Sequence, residues 1–503
     1  MKNILLFPFK KVPFGGPQLN WVGAVLLLLT VGCTKSFDSI NTNPNSTTAI
    51  GPQYLLTYGL EQSIDRYWGG RTRFERLNID VAELYIQHLG RNIYANEGDD
   101  YTVSEAVMLN NWKGFYNDSQ VNFQRIMVIS DEKGTAPNPN YYGAALVMRT
   151  WVFSLLTDLF GAIPYSDALK GTGTEPNYTP KYDTQEAVYA GLLNDLKLAN
   201  ERLNATGPAI AGDILYGGDI LKWKKFANSL RLRLANRQAA KKPAESRAIM
   251  KEILGDAAKY PVFTSNADNA SLKCSTILPS NNEWNQVMVQ DGRTDWNLSK
   301  TLVDKLVGLN DPRLGVYGTQ QKGKWEGVPN GLPDAIATTY LASAATIGPY
   351  FTKADAPEVL MTLSELNFIL AEAALDGDID GGMAKAKDYF ENGITASMGQ
   401  FGVTAPADYL TKVGGVTREK VLEQKWIGLF AQGIEAWTEY RRTGFPVLPA
   451  KDSRAVFVND GVMPTRLKYP GSETSLNAKS KDEGVKANGG PDDFKTKLWW
   501  VEK

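Results

Sequence analysis

The chain has 503 residues, 43% of them hydrophobic and 22% charged, and its formal net charge is −1. That length allows a large core and by itself would allow two or three domains, while a near-neutral balance argues against a nucleic-acid partner, which needs a basic excess to displace counterions from phosphates. His88 is the only histidine, so no metal site built on two or more imidazoles and no HExxH motif can form, and any Ser-His-Asp or Cys-His site would have to use His88 alone.

Taken in chain order, Lys2, Lys10 and Lys11 precede an apolar run from Trp21 to Val31. The run is too short for a bilayer core that needs about 20 residues, and a basic start before a short apolar stretch describes an export signal. Leu29-Thr30-Val31-Gly32-Cys33 resembles the lipobox of bacterial lipoproteins, in which the signal is cut before a cysteine whose thiol then carries lipid. The usual leucine three residues before the cysteine is Thr30 here, with Leu29 one place early. The alternative is an ordinary secreted protein with a cysteine beside the cut. Acylation of Cys33 would leave Cys274 alone, with no intramolecular disulfide. The expected layout is therefore a signal peptide over 1–32, a polar tether over 33–50 and a single domain over 51–503.

His88 sits in Tyr85-Ile86-Gln87-His88, on or near a helix face. Helical periodicity is clear from Tyr141 to Phe160, where two apolar stripes predict a helix buried on most sides and ended by Gly161. Tyr182-Asp183-Thr184 with Glu186 opens a helix through Val188, Leu192, Leu196 and Ala199. Another starts near Gly218-Asp219 and carries Trp223, Ala227, Leu230 and Leu234, decorated by Lys222, Lys224, Lys225, Arg231, Arg233 and Arg237. Those cations read either as an anion-binding patch or, more in keeping with the overall charge, as a solvated basic flank. Val359, Leu363, Leu366, Leu370 and Ala373 predict a further helix, with a partner through Ala384, Tyr389 and Ile394. Leu422 to Tyr440 reads as one long stripe stopped by Gly444 and Pro446. Between the helices, Cys274–Leu298, Asp311–Ala354 and Phe445–Lys503 are loop-like, and long ordered loops on a helical scaffold tend to carry function.

RTWVFSLLTDLFGAIPYSDAL (149–169) resembles the signature of the SusD/RagB-like nutrient-binding outer-membrane lipoproteins. KYDTQEAVYAGLLNDLKLA (181–199), GDILYGGDILKWKKFANSLRLRLANR (212–237), NDPRL (310–314), SELNFILAEAAL (364–375) and QKWIGLFAQGIEAWTEYRRTGFP (424–446) resemble its other blocks, in order along the chain. The resemblance implies a mainly α SusD-like fold with four tetratricopeptide-like helix pairs and long irregular ligand-binding loops. It further implies a lipid-anchored, surface-exposed protein of the outer membrane, not an enzyme. Such a protein would capture an oligosaccharide, or in some relatives a peptide, and deliver it to a SusC-like TonB-dependent transporter. No cofactor, metal or nucleic acid is implied.

A sugar presents C–H faces that pack on aromatic rings and hydroxyls that need amide, carboxylate or guanidinium partners. Loop segments with that composition are Arg91–Tyr101, Asn281–Trp296 and the surroundings of Trp325, and the candidate ligand-binding residues are Tyr94, Tyr101, Trp284, Trp296 and Trp325. For each, packing of a loop onto the body is the competing reading. Asp376-Gly377-Asp378-Ile379-Asp380-Gly381 copies the first half of a calcium loop, but Lys387 stands where its twelfth position needs Glu. Two rival classes stay open: a glycan-degrading enzyme using two carboxylates, and a pure protein scaffold.

Overall fold

The computed structural model describes residues 50–502 apart from 70–71 and 172–174, and the expected signal peptide, Cys33 and nearly all of the tether lie outside the described residues. Pro52–Lys503 form one compact unit, in which the longer helices are α1 (Pro52–Trp68), α2 (Glu105–Gly114), α3 (Val121–Ser130), α4 (Pro139–Phe160), α5 (Gln185–Arg202), α6 (Ile220–Gln238), α7 (Pro243–Gly255), α8 (Lys300–Leu309), α9 (Leu363–Leu375), α10 (Gly382–Gln400), α11 (Arg418–Gly428), α12 (Gly433–Thr443) and α13 (Ala478–Ala487). Side-chain caps set several starts, as the periodicity suggests. Asn138 accepts from Asn140 and Tyr141 ahead of α4, Thr184 from Ala187 ahead of α5, and Asp219 from Lys222 ahead of α6. The helices stack in sequence: α4 packs on α3 and α5, α5 on α6, α6 on α7 and α9, and α9 on α10 and α11. Helix α4 is long and apolar enough to cross a membrane, yet it is buried inside the protein, as its two stripes predict.

Two helix expectations change. Val359 belongs not to α9 but to a strand, Pro357–Met361, because Thr362 caps the helix by accepting from the Glu365 N–H. The long stripe from Leu422 to Tyr440 is two helices, α11 and α12, broken where Ala431 takes φ +70°. The break brings Gly433 against the Glu83 backbone so closely that a Cβ would meet Glu83 N at 2.6 Å.

The arginines of α6 also depart from the solvated flank. Arg231, Arg233 and Arg237 are buried, and the last two enter the centre of the helical layer. Arg233 donates to Glu365 Oε1 at 2.6 Å and to the Leu360 carbonyl at 3.0 Å. Arg237 pairs with Asp158 at 2.7 Å, with Glu439 at 3.2 Å and with Glu435. Arg442 bridges Glu372 at 2.7 Å and Glu439 at 2.8 Å, Lys425 meets Glu439 at 2.8 Å, and Arg441 donates to the Asp158 and Thr465 carbonyls. Burial alone would raise the Glu439 carboxyl, but Arg442, Lys425 and Arg237 together hold it well below the usual range. Buried charges of both signs are matched here, Arg233, Arg237, Lys425, Arg441 and Arg442 against Asp158, Glu365, Glu372, Glu435 and Glu439.

The irregular part is held by two small sheets. One is four-stranded and antiparallel, with strands β1 (Leu89–Arg91), β3 (Trp296–Leu298), β4 (Gly318–Thr319) and β5 (Thr346–Ile347) in the order β1-β3-β5-β4. The other pairs β2 (Ala270–Lys273) with β6 (Pro357–Met361). The NDPRL block anchors this part to the helices. Arg313 is fully buried, pairs with Asp311 at 2.6 Å and donates to Ser397, Tyr409 and Gln424 at 2.8–2.9 Å.

Removing one member of a buried ion cluster strands its partners in low dielectric, at a cost of about 3–5 kcal/mol. Arg442→Met is therefore expected to lower the urea midpoint far more than Arg454→Met, whose exposed pair with Asp452 lies outside the core. Equal midpoints for the two variants would contradict the central role given to the cluster.

Candidate functional site

The first strand pair decides which loop residues meet. Leu89, Gly90 and Arg91 of β1 face Leu298, Asn297 and Trp296 of β3, and Asn92 N donates to Asp295 O at 3.0 Å. This pairing joins two of the segments singled out in the sequence, Arg91–Tyr101 and Asn281–Trp296. Beyond β1 the chain turns sharply. Tyr94 adopts φ +56°, and Arg91 Nη1 holds the turn by donating to the carbonyls of Tyr94 at 3.1 Å and Glu97 at 3.0 Å. A left-handed non-glycine residue is strained, and strain held by such bonds is often found where a ligand binds.

Of the five candidate rings, Tyr94 alone is a well-exposed one, at 43%. The guanidinium carbons of Arg73 and Arg293 stand 5.5 and 5.4 Å from its centroid. Arg73 pairs with Glu97, and Arg293 with Asp295. Phe74, beside Arg73 in the chain, is 53% exposed. The Tyr94 surface therefore offers an exposed ring beside the Arg73 and Arg293 guanidinium groups and the Glu97 carboxylate, which water already reaches, while Asp295 lies buried.

Three of the other rings belong to the core, which corrects their candidacy as platforms. Trp284 is fully buried, donates its indole N–H to Trp68 O at 3.0 Å and packs on Trp68 at 5.5 Å. Trp296 lies beneath the site: its indole donates to Asp80 Oδ1 at 3.1 Å, and the Arg91 guanidinium covers its ring at 5.3 Å. Burial pushes the Asp80 carboxyl up, while Arg91 and Arg76 pull it back. Tyr101 is buried between Tyr85 and Phe457, its ring 4.4 Å from that of Phe457. Trp325 is half-buried and packs on the core from the loop after β4. An indole with its N–H spent inside and no open face cannot stack on a sugar.

Sequence reasoning missed Arg73, Asp80 and Phe74, which lie outside the loop segments it selected. The only available signal was the Arg71-Thr72-Arg73-Phe74 run after Gly69-Gly70. It also missed a cavity of about 480 Å³ near the Phe445–Lys503 loop, lined by Gln87, Thr301, Asn330, Trp426, Val447 and Phe457 among others. Asn330 connects this cavity to the Tyr94 loop by donating to Asp99 Oδ1. Asp99 is buried, and that burial raises its carboxyl to about 7 against the bonds from Asn330 and Arg91 N–H.

His88 has both ring nitrogens engaged. It is fully buried, with Nδ1 3.0 Å from Glu83 Oε2 and Nε2 2.9 Å from Trp426 O. The acids of the calcium-like turn face cations, Asp378 with Arg247, Asp380 with Lys251 and Asp376 with Arg418. Among the described residues no group of three or more His, Cys, Asp or Glu could hold a metal ion.

The helical stack, with two small sheets holding irregular loops on it, defines a mainly helical scaffold that carries an exposed ring among charged partners. Residues 44–470 match the SusD-like family described as starch-binding, associating with the outer membrane, and the chain belongs to that family. Its helical fold is the SusD-like fold. A solved chitin-binding protein is 30% identical, with a TM-score of 0.78 over 90% of this chain and 100% of that one. A SusD homologue from Bacteroides uniformis is 25% identical, with a TM-score of 0.77 over 89% and 99% of the two chains. A chitin-binding SusD homologue from Flavobacterium johnsoniae, at 24% identity and a TM-score of 0.75 over 89% and 98%, shares the fold. No curated protein matches the sequence. Members of the SusD-like family are binding proteins.

Truncating a core tryptophan costs about 3–5 kcal/mol, whereas an exposed ring contributes little to folding. Trp284→Ala is expected to lower the melting temperature sharply, and Tyr94→Ala to leave it within a degree or two. Thermal melts of the two variants check this placement.

Asp99 gives a pH signature. Its ordinary value is 3.8 and its folded value about 7, so between those limits the folded chain holds a proton that the unfolded chain has lost. Its contribution to stability therefore falls as pH rises from about 4 to about 7. Asp99→Asn should flatten that fall in urea titrations across the window; an unchanged slope would contradict the assignment.

Proposed function

We propose that this chain is a glycan-binding lipoprotein held on the outer surface of the outer membrane by an acylated Cys33. Residues 1–32 form the signal peptide, 33–50 the tether and 51–503 the binding domain. The protein captures an oligosaccharide reversibly and passes it to a SusC-like TonB-dependent transporter, without cleaving it.

The observation that carries the binding half is Tyr94. It is held in a strained left-handed turn, exposed, and flanked by Arg73, Arg293 and Glu97, with Trp296 and Asp80 fixing the floor beneath. A pyranose C–H face can lie on such a ring while its hydroxyls exchange water for the guanidinium and carboxylate groups around it. Trp284, Trp296 and Tyr101 act in this reading as support, and Trp325 as a second, half-buried ring. Two further facts support the glycan as ligand class: the starch-binding description of the family and the chitin-binding relative at 30% identity.

The test uses calorimetry with malto- and chito-oligosaccharides on the chain lacking residues 1–33, with product analysis after long incubation. Saturable binding to one series is expected, weakened about tenfold or more in Tyr94→Ala, the range of a truncated contact centre. No binding to any glycan, or turnover of a bound one, would overturn the proposal. The anchor is tested separately by mass spectrometry of the mature protein. Acyl mass on Cys33, lost in Cys33→Ser, is expected, and an unmodified mature terminus refutes it.

A further inference from the structure

A second cavity, of about 340 Å³, shares no lining residue with the Tyr94 surface. It opens between the start of α6, the loop leading into β2, Tyr350 and the end of α10. Its polar lining is Lys222, Asn266, Asn269, Ser271 and Gln400, and two rings, Tyr216 and Tyr350, complete it. No carboxylate lines it, in contrast to the charged groups around Tyr94.

The hydrogen-bonding groups here are oriented and partly unspent. Asn269 Oδ1 accepts from Leu363 N at 2.8 Å, which fixes its amide and leaves its N–H groups over. Asn266 Nδ2 donates to Ala396 O at 2.9 Å, while its Oδ1 is buried with no partner. That oxygen is an acceptor the protein leaves unspent. Among the described residues, no hydrogen bond or ion pair within the protein uses the Gln400 amide, the Ser271 hydroxyl, the Tyr350 hydroxyl or the Lys222 ammonium. Tyr216 is held in place by its hydroxyl, which donates to Asp268 O at 3.1 Å, and by edge-on packing against Trp223 at 5.4 Å. Tyr350 is braced edge-on by Phe351 at 5.0 Å and Phe401 at 5.1 Å.

Such a lining suits a ligand rich in hydroxyls, to whose oxygens the Lys222 ammonium can also donate. Fixed amides accept and donate in pairs, rings supply flat apolar faces, and the absence of carboxylates removes any pull on cations. The volume is many times the roughly 30 Å³ share of one water, so a larger occupant than a single bridging water fits. We infer that this cleft is a second saccharide subsite, taking a pyranose unit; the inference rests on the glycan-binding reading above. Two separate subsites on one chain would let a polymer engage both and gain avidity without tighter contacts at either.

The experiment reads each ring by itself. The full domain is labelled with 3-fluorotyrosine, and the fluorine resonances of Tyr94, Tyr216 and Tyr350 are assigned by single Phe substitutions. Maltohexaose and chitohexaose are titrated in turn. With one of them, the Tyr94 and Tyr350 signals are expected to move along separate saturation curves, and the Tyr350 shift to persist in Tyr94→Ala. Gln400→Ala, at a side chain with no bond to the rest of the fold, is expected to raise the half-saturation point at Tyr350 about fivefold, one hydrogen bond's worth, and to leave Tyr94 unaffected. Movement of Tyr94 with Tyr350 and Tyr216 silent overturns the second subsite and leaves the glycan reading standing. Silence of all three rings with both probes overturns both.

Discussion

The structure depends on a set of charges buried where the helices meet. Asp158 of α4, Arg233 and Arg237 of α6, Glu365 and Glu372 of α9, Lys425 of α11, and Glu435, Glu439 and Arg442 of α12 form one connected group. Trp500 and Tyr189 add hydrogen bonds to Asp158 at 2.9 and 2.5 Å, which ties the C-terminal segment to the same centre. Each charge is desolvated and therefore costly alone. Each is satisfied only when several helices are in register, so the cluster couples their positions more tightly than apolar packing would.

That rigidity has a consequence at the ligand face. The irregular segments are too short in regular structure to hold themselves. They are fastened to the helices by single buried polar residues, Arg313 to α10 and α11, and Trp426 through its indole to Ile86 O at 3.0 Å. The β1–β3 ladder then carries Arg91 and Trp296 to one place, and Arg91 spends its guanidinium on the Asp80 carboxylate and on the carbonyls of the Tyr94 turn. An exposed ring in a strained turn keeps its orientation because the residues under it have no freedom left. A preorganised surface of this kind loses little entropy when it binds a ligand.

The two proposed binding faces differ in chemistry. Around Tyr94 the groups are ionic and paired, so a ligand must compete with existing bonds as well as with water. In the cleft between α6 and α10 the groups are amides, hydroxyls and the single Lys222 ammonium, several of them unspent. The first arrangement favours selectivity through the spacing of charges, and the second favours contact with any neutral hydroxyl pattern that fits.

The sequence by itself determined the parts governed by local rules. Helices α4, α5 and α6 were legible because their apolar spacing, and for α5 and α6 their caps at Thr184 and Asp219, act within a few residues. The ordered blocks were enough to indicate the family, and the aromatic and polar make-up of the loops gave five candidate rings, Tyr94 among them. Only the tertiary structure decided which rings face water. Trp284, Trp296 and Tyr94 sit in loops of similar composition, and their fate was set by Trp68, Asp80 and Arg293, partners distant in the chain. The same holds for Arg233 and Arg237, which look like a solvated flank until carboxylates from α4, α9 and α12 close around them. Burial of a polar or aromatic side chain depends on partners brought from elsewhere in the fold, and no local pattern records them.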